Sequence, residues 1–204
     1  MPLERFWRDK GFKKKTWIEY NVLGRNSQDS RPESIKIDSS TIESGETASF
    51  SEIKKLMSPF VTTLDEMNKE FKSGKSSLGF VKPVVRDFIR EEKTNKRMEK
   101  MMPQQTLGGK SAVRIDLIPE QLSYIYSCAQ KEEKVHKQMC EDWELGALYR
   151  HYLHDTDLAF EKCKEKFLIE LPKKPDFFFM IGTHFRWRTP MIISVLYPRK
   201  SEII

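Results

Sequence analysis

The sequence predicts an α+β protein in which a small, mainly antiparallel sheet packs against several helices, preceded by a flexible N-terminal region. Three observations support this class. Apolar residues repeat at helical spacing after residue 49, two short apolar segments between prolines lie near the end of the chain, and residues 25–48 are too polar to form a core. The 204 residues are enough for one domain with its own hydrophobic core.

The first 48 residues divide into two segments. Residues 1–24 form a basic, aromatic arm that leads into a strand, because apolar residues alternate with polar ones at Ile18, Tyr20 and Val22. Residues 25–48 are rich in Ser, Thr, Asp and Glu, which is typical of a flexible linker, with a short edge strand at 34–38. We therefore expect a single α+β core domain over residues 49–204.

Three helices are predicted in the first half of this core. Ser49 and Glu52 have the spacing of a capping box. Ser58 and Pro59 suit the start of a second helix that ends at Gly74, since its apolar stripe repeats every three or four residues, at Phe60, Leu64, Met67 and Phe71. The third helix is predicted from residue 83 to beyond residue 98, with a solvated second half.

The second half of the core is predicted to hold strands at both ends and helices between them. Val113, Ile115 and Leu117 alternate with polar residues, as in a half-buried strand. Residues 120–167 are dominated by helix formers, so we expect two or three helices broken near Gly146 and at Asp155. Residues 175–182 and 190–198 have the composition of two buried, adjacent strands.

Composition limits the classes of function. The chain has 36 Lys and Arg against 30 Asp and Glu, a net charge of +6, and the basic excess lies in residues 1–15, 82–102 and 172–204. Such a charge favours nucleic acid, an anionic membrane surface or an acidic protein as the partner. The 3 cysteines and the lack of a signal-peptide or membrane-spanning pattern predict an intracellular protein of cytoplasm or nucleus.

Known enzyme and cofactor motifs fit the sequence poorly. Residues 73–77, SGKSS, contain the end of a phosphate-binding loop, but its first glycine would fall on Lys69, so a helix end is the better interpretation. All cysteines and histidines lie between Cys128 and His184 without zinc-module spacing, and no cofactor is expected. A metal-dependent nuclease is kept as an alternative, because several carboxylates could share a cation, namely Asp116, Glu120, Asp155, Asp157 and Glu161.

The strongest functional pattern lies between the two C-terminal strands. In HFRWR, residues 184–188, arginines alternate with aromatic rings, and such a surface can hold phosphates and stack bases. On a strand the same alternation would bury the rings and leave the arginines in water, so both interpretations stay open. The candidate nucleic-acid-binding residues are Lys13, Lys14, Lys15, His184, Phe185, Arg186, Trp187 and Arg188.

The layout of a basic start, a polar linker and an α+β core resembles that of the small matrix proteins of rhabdoviruses. The resemblance covers about the first 90 residues, and the Pro-Pro-x-Tyr motif of that family is absent. It implies membrane and nucleocapsid binding, here through residues 1–15. The sequence favours a non-enzymatic protein that binds nucleic acid, RNA rather than DNA, together with a protein partner. The alternative is a matrix-like module for anionic membrane or an acidic protein.

Overall fold

The computed structural model describes residues 12–93, 116–129, 131–184 and 188–202 of the chain. Its three antiparallel sheets and four α-helices confirm the mixed α+β class. The helices are α1 (Phe50–Met57), α2 (Leu64–Ser73), α3 (Trp143–His151) and α4 (Thr156–Lys164). The strands are β1 (Thr16–Arg25), β2 (Ile35–Thr47), β3 (Leu78–Val81), β4 (Pro83–Glu92), β5 (Glu120–Cys128), β6 (Lys131–Met139), β7 (Phe178–Thr183) and β8 (Pro190–Leu196).

The six strands from β3 onward are connected in a ring. One three-stranded sheet has the order β3-β7-β8 and the other β4-β5-β6. Only Lys82 separates β3 from β4, and on the opposite side Cys140, just after β6, forms a bridge with Ile192 of β8. The amide of Glu141 donates to the carbonyl of Ile192 over 2.8 Å. The two sheets therefore share one core.

Aromatic side chains fill the centre of that core. Phe88, Tyr124 and Phe179 are fully buried. The ring centroid of Tyr124 lies 4.9 Å from that of Phe88 and 4.7 Å from that of Phe179. The Tyr124 hydroxyl donates to the carbonyl of Phe167 over 2.9 Å, in the π-helical turn 165–170 that continues α4. Burial raises the pKa of Tyr124 well above its usual value, so the hydroxyl stays a neutral donor.

In the first two predicted helices, the start at Ser49 and the end at Gly74 agree with the structure, and the start at Ser58 does not. Ser49 and Glu52 form the capping box of α1, and Gly74 ends α2 in a left-handed conformation. Helix α2 begins at Leu64 with a second capping box between Thr63 and Glu66, whereas residues 58–60 form a separate 3₁₀ turn. Val61, which lies in the chain between the 3₁₀ turn and α2, forms an isolated β-bridge with Phe80. This extended residue interrupts the helix that was predicted to be continuous.

Two predicted helical segments are strands instead. The helix predicted from residue 83 was wrong, because residues 83–92 form β4; residues 94–98 lie outside the described part. Residues 120–128 and 131–139 form β5 and β6, so the helical prediction was also wrong there. Backbone pairing and burial on both sides of β5 outweigh the helix propensity of these residues.

The prediction for the C-terminal strands was correct. Strands β7 and β8 pair antiparallel, with Phe178 opposite Leu196. Asp155 separates α3 from α4 as predicted, whereas Gly146 lies inside α3. Of the strand predicted around residues 113–117, Val113 and Ile115 lie outside the described residues, and Leu117 belongs to no strand.

The segment predicted as a polar linker contains a long strand. Residues 35–47 form β2, which pairs with β1 in a two-stranded N-terminal hairpin. From Glu19 to Asn21 the chain advances two residues along β1, while the partners advance five residues along β2, from Glu43 to Asp38. This bulge turns Ile42 into the protein, where it is buried. The short edge strand predicted at 34–38 coincides with the start of β2, whereas residues 39–47 have no apolar alternation and were not predicted as a strand.

None of the described helices combines the length and the apolar character needed to cross a membrane. The division into an arm, a linker and a core domain stays a prediction, as does the flexibility of the N-terminal region, whose residues 1–11 lie outside the described part.

One buried carboxylate joins α3 to the β3-β7-β8 sheet. Asp142 is only 4% exposed. Its Oδ1 accepts from the amide of Leu145 over 2.9 Å and caps α3, and its Oδ2 accepts from the amide of Val195 in β8 over 2.9 Å. The Ser194 hydroxyl completes the site at 3.3 Å. A single side chain thus satisfies buried donors from two elements.

Replacement of Asp142 by Ala is expected to lower the free energy of unfolding by about 3 kcal/mol. The lost helix cap accounts for about 1 kcal/mol, and the buried amide of Val195 left without an acceptor for about 2 kcal/mol. Urea unfolding monitored by circular dichroism measures the loss. Asp155→Ala is the matched control, because Asp155 caps only α4 and is exposed; it should cost about 1 kcal/mol. Equal losses would contradict the joining role of Asp142.

Candidate nucleic-acid interface

The predicted binding residues lie near opposite ends of β8. Lys14 contacts Glu144, and Lys15 contacts Glu202. Glu202 follows the end of β8 in the chain. His184 and Arg188 precede the start of β8, on the connection from β7. A seven-residue strand spans roughly 20 Å. The structure therefore does not bring the two predicted groups together.

The N-terminal lysines are engaged in ion pairs. The Nζ atom of Lys14 lies 3.0 Å from Oε1 of Glu144, and that of Lys15 lies 3.1 Å from Oε2 of Glu202. Lys15 also lies over the ring of Phe50, 5.0 Å from its centroid. The backbone amide of Arg199 and the Lys15 side chain lower the pKa of Glu202. These charges are offset locally and attach the start of β1 to the rest of the protein, while Lys13 is exposed.

The connection between β7 and β8 is closed by backbone hydrogen bonds. The amide of His184 donates to the carbonyl of Thr189 over 3.0 Å, and that of Arg188 donates to His184 over 2.8 Å. Arg188 is exposed and has a φ of 49°, in the left-handed region that non-glycine residues seldom occupy. Phe185, Arg186 and Trp187 lie outside the described residues. Arg188 is thus held at the surface by the hydrogen bond from its amide to the carbonyl of His184.

Two other segments meet this connection. Nη1 of Arg31, in the turn of the N-terminal hairpin, contacts the carbonyl of Thr183 at 3.5 Å. The amide of Thr183 donates to the carbonyl of Ser77, in the loop after α2, over 3.1 Å. A shallow depression between these segments includes Gly74, Ser76 and Arg188. We call this region, formed by residues 29–33, 74–77, 183–184 and 188, the loop end.

Glu33 fixes the loop end by binding the segment that resembles a phosphate loop. Its Oε1 accepts from the amide of Ser77 over 2.8 Å and from the hydroxyl of Ser76 over 3.0 Å, and its Oε2 accepts from the Ser77 hydroxyl over 2.5 Å. Partial burial raises the pKa of Glu33, but the hydrogen bonds from Ser77 and Ser76 outweigh it, so the pKa lies below its usual value. The Glu33 carboxylate thus binds the amide and hydroxyl groups that would face a phosphate in a phosphate-binding loop. Gly74 caps α2, in agreement with the interpretation of SGKSS as a helix end.

The basic side chains of the loop end differ in whether a carboxylate of the protein already neutralises them. The Arg31 guanidinium binds the carboxylate of Asp29, with Nε 3.0 Å from Oδ1. The side-chain hydrogen bond from Arg31 holds the pKa of Asp29 far below its usual value. Arg31 is therefore a positioning group whose charge is offset, whereas Lys75 and Arg188 are exposed cations.

Residues 60–203 match the model of a family described as a domain of unknown function, DUF8757. The chain belongs to the DUF8757 family. No curated protein and no solved structure matches it. The DUF8757 region includes both three-stranded sheets and the β7–β8 connection, whereas Arg31 and Glu33 precede it in the chain.

Three of the five acidic residues considered for a nuclease site bind other groups of the protein. Glu120 forms an ion pair with Arg90 at 3.2 Å and accepts from the hydroxyl of Tyr149 over 2.5 Å. Asp157 also pairs with Arg90, and Asp155 caps α4. Within the part of the chain that the structure describes, no group of three or more His, Cys, Asp or Glu residues could hold a metal ion.

The cysteines of the DUF8757 region are buried and unpaired with one another. Burial raises the pKa of Cys163 to about 12 and that of Cys140 well above its usual value. Both thiols are therefore protonated at neutral pH, and a protonated, buried thiol is a poor nucleophile and a poor metal ligand. Their surroundings fit the interpretation of these cysteines as small apolar core residues.

Sequence reasoning missed the residues that assemble the loop end. Arg31 and Glu33 lie in the segment predicted as a linker. No local pattern distinguishes their side chains from ordinary surface charges, because the contacts that join the segments are distant in sequence, 152 residues apart for Arg31 and Thr183 and 44 for Glu33 and Ser77.

Replacement of Glu33 by Gln should lower stability at neutral pH and have little effect in acid. Because its pKa is depressed in the folded state, Glu33 stabilises the fold above its unfolded pKa, and this contribution disappears as pH falls through the folded value. The loss near pH 7 should be about 1 kcal/mol after allowance for solvent exposure. Thermal unfolding at pH 7 and below about pH 4 measures the difference.

Glu46→Gln is the control for that measurement, since Glu46 is an exposed carboxylate near the end of β2. It should leave the melting temperature nearly unchanged at both pH values. A Glu33→Gln effect of the same size at both pH values would contradict the assigned contacts.

Proposed function

We propose that the chain is a non-enzymatic nucleic-acid-binding protein of the cytoplasm or nucleus that contacts its ligand at the loop end, with RNA favoured over DNA. The observation that supports this most strongly is that Arg188, an exposed cation, lines one depression together with residues of the hairpin turn and of the loop after α2, and Lys75 of that loop is also exposed. The alternating sequence from Phe185 to Arg188 belongs to the same connection.

The chemistry of these groups suits a flexible single strand. A guanidinium group binds phosphate through two parallel hydrogen bonds, and an ammonium group acts as a point charge beside it. Aromatic rings such as those of Phe185 and Trp187 stack on unpaired bases of any sequence. Single-stranded RNA presents such bases in loops and at ends, and this favours RNA over duplex DNA.

Fixed backbone around the loop end supports the proposal further. Arg31, Glu33 and Thr183 connect the hairpin turn, the loop after α2 and the end of β7 through hydrogen bonds. A surface that is already ordered loses little conformational entropy when it binds. The N-terminal lysines lie apart from this surface, and Lys14 and Lys15 are already paired with carboxylates. We assign them a smaller share of the binding.

Replacement of both Arg186 and Arg188 by Ala is expected to weaken RNA binding and reduce its salt dependence. Each lost phosphate contact on a single strand should reduce the slope of log affinity against log salt by about 0.7, so the double variant should lose about 1.4. Fluorescence anisotropy with a labelled single-stranded RNA across a salt series measures both quantities. Lys75→Ala should reduce the slope by about 0.7.

Lys162→Ala is the matched control, because Lys162 lies on α4 and pairs with Glu165. It should leave the affinity and the slope unchanged. Unchanged binding by a folded Arg186→Ala/Arg188→Ala variant would refute the loop end as the site. If the unmodified protein does not bind nucleic acid at physiological salt, the proposal fails. Salt-sensitive binding to anionic vesicles would then favour the matrix-like alternative.

Replacement of Lys14 and Lys15 by Met should change RNA affinity and thermal stability differently from the arginine replacements. We expect a smaller loss of RNA affinity than for the arginine variant, because these charges are offset by Glu144 and Glu202. The melting temperature should fall, since the ion pair and the cation–π contact of Lys15 are lost. A loss of affinity as large as that of the arginine variant, without a loss of stability, would contradict this assignment.

A further inference from the structure

The N-terminal hairpin exposes apolar side chains on both of its faces. In β1 the exposed fractions are 50% for Trp17, 36% for Ile18, 57% for Val22 and 69% for Leu23. Successive residues of a regular strand point to opposite faces, so Trp17 and Ile18 place one apolar side chain on each face. Leu23 is the extra residue of a bulge between Val22 and Gly24. A two-stranded hairpin is marginally stable in water by itself, and exposed apolar groups of this kind mark a contact surface.

The two edges of the hairpin differ in protection. Among the described residues, β1 pairs with β2 and β2 pairs with β1 alone. Strand β2 carries irregularities opposite Thr16–Ile18 and Glu19–Asn21 and the exposed charges Lys36, Glu43 and Glu46, whereas β1 carries one extra residue between Val22 and Gly24. Bulges and charges are the usual means by which an edge is kept from pairing with another chain. Strand β1 is apolar and lacks charged residues from Tyr20 to Gly24.

The exposed apolar residues of β1 are spaced symmetrically about Tyr20. Trp17 and Leu23 lie three residues on either side of it, and Ile18 and Val22 lie two residues on either side. In an antiparallel pair of two copies with Tyr20 at the twofold axis, Trp17 is therefore opposite Leu23 of the other copy and Ile18 is opposite Val22. Every exposed apolar residue of β1 then has an apolar neighbour.

The charges of β1 fit the same register. Within the hairpin Glu19 is directly opposite Glu43, a pairing of like charges that destabilises a sheet. In the symmetric pair Glu19 is opposite Asn21 of the other copy, whose amide can donate to the carboxylate. A shift of the axis to Glu19 would place two glutamates opposite each other, so the charges disfavour that neighbouring register.

We propose that β1 pairs antiparallel with β1 of a second copy, with Tyr20 at the twofold axis, so that two hairpins form a four-stranded sheet in the order β2-β1-β1-β2. The partner is a second copy of this chain because the apolar pattern of β1 is self-complementary. The pairing adds backbone hydrogen bonds along both strands and covers part of the apolar surface. It is independent of nucleic-acid binding at the loop end.

Charge substitutions at Ile18 and Val22 test the register directly. Ile18→Lys and Val22→Glu each place a charge opposite an apolar residue of the other copy, and each should shift the full-length protein from dimer to monomer. An equimolar mixture of the two variants should recover a dimer, because the lysine introduced into one copy then lies opposite the glutamate introduced into the other. Sedimentation velocity over a concentration series measures the species, and circular dichroism checks that each variant is folded.

Leu56→Lys is the matched control, since Leu56 is an equally exposed apolar residue on α1, with 54% of its surface accessible. It should leave the dimer intact. A monomeric unmodified protein across the whole concentration series would overturn the proposal. A dimer that neither single variant weakens, or a mixture that stays monomeric, would also overturn it.

Discussion

The buried carboxylate of Asp142 is the contact on which the arrangement of the two larger sheets depends. It caps α3 with one oxygen and holds the backbone of β8 with the other. Next to it, the bridge between Cys140 and Ile192 joins β6 to β8. These contacts hold β8, the strand that follows the candidate binding loop, against α3 and the end of β6. A local loss at Asp142 would therefore disturb the core and the loop end together.

The N-terminal hairpin is attached to this framework at both ends. At its open end Lys15 pairs with Glu202, which also accepts from the amide of Phe50 over 2.9 Å. At its turn Arg31 and Glu33 bind the segments around Thr183 and Ser77. Between these points β1 leaves its apolar residues exposed. The same element can therefore help to order the loop end, while one edge of β1 has no partner strand among the residues that the structure describes.

Local signals in the sequence predicted those elements that local interactions determine. The capping box at Ser49 and the glycine end at Gly74 depend on residues within one helical turn, and proline-bounded apolar segments identified β7 and β8. Strands β4, β5 and β6 were missed because their apolar residues also fit helical spacing, and only pairing between distant segments decides between the two structures. Only the start of strand β2, within residues 34–38, was predicted, because most of its later residues are polar.

The candidate site was predicted in part for the same reason. The sequence identified the connection from His184 to Arg188 and the neighbouring SGKSS turn, but as separate features. Their proximity depends on Arg31 and Glu33, whose contacts join residues far apart in the chain. Conversely, the N-terminal lysines were grouped with the arginines on charge alone, although ion pairs hold Lys14 and Lys15 near the opposite end of β8.

Amide chemical shifts of the full-length protein during titration with a short single-stranded RNA will show whether nucleic acid binds at the loop end. We predict that the largest shifts fall on Ser76, Ser77, Thr183, His184 and Arg188, with small shifts at Lys14 and Lys15. Shifts concentrated on residues 12–16, with the loop end unchanged, would contradict the account.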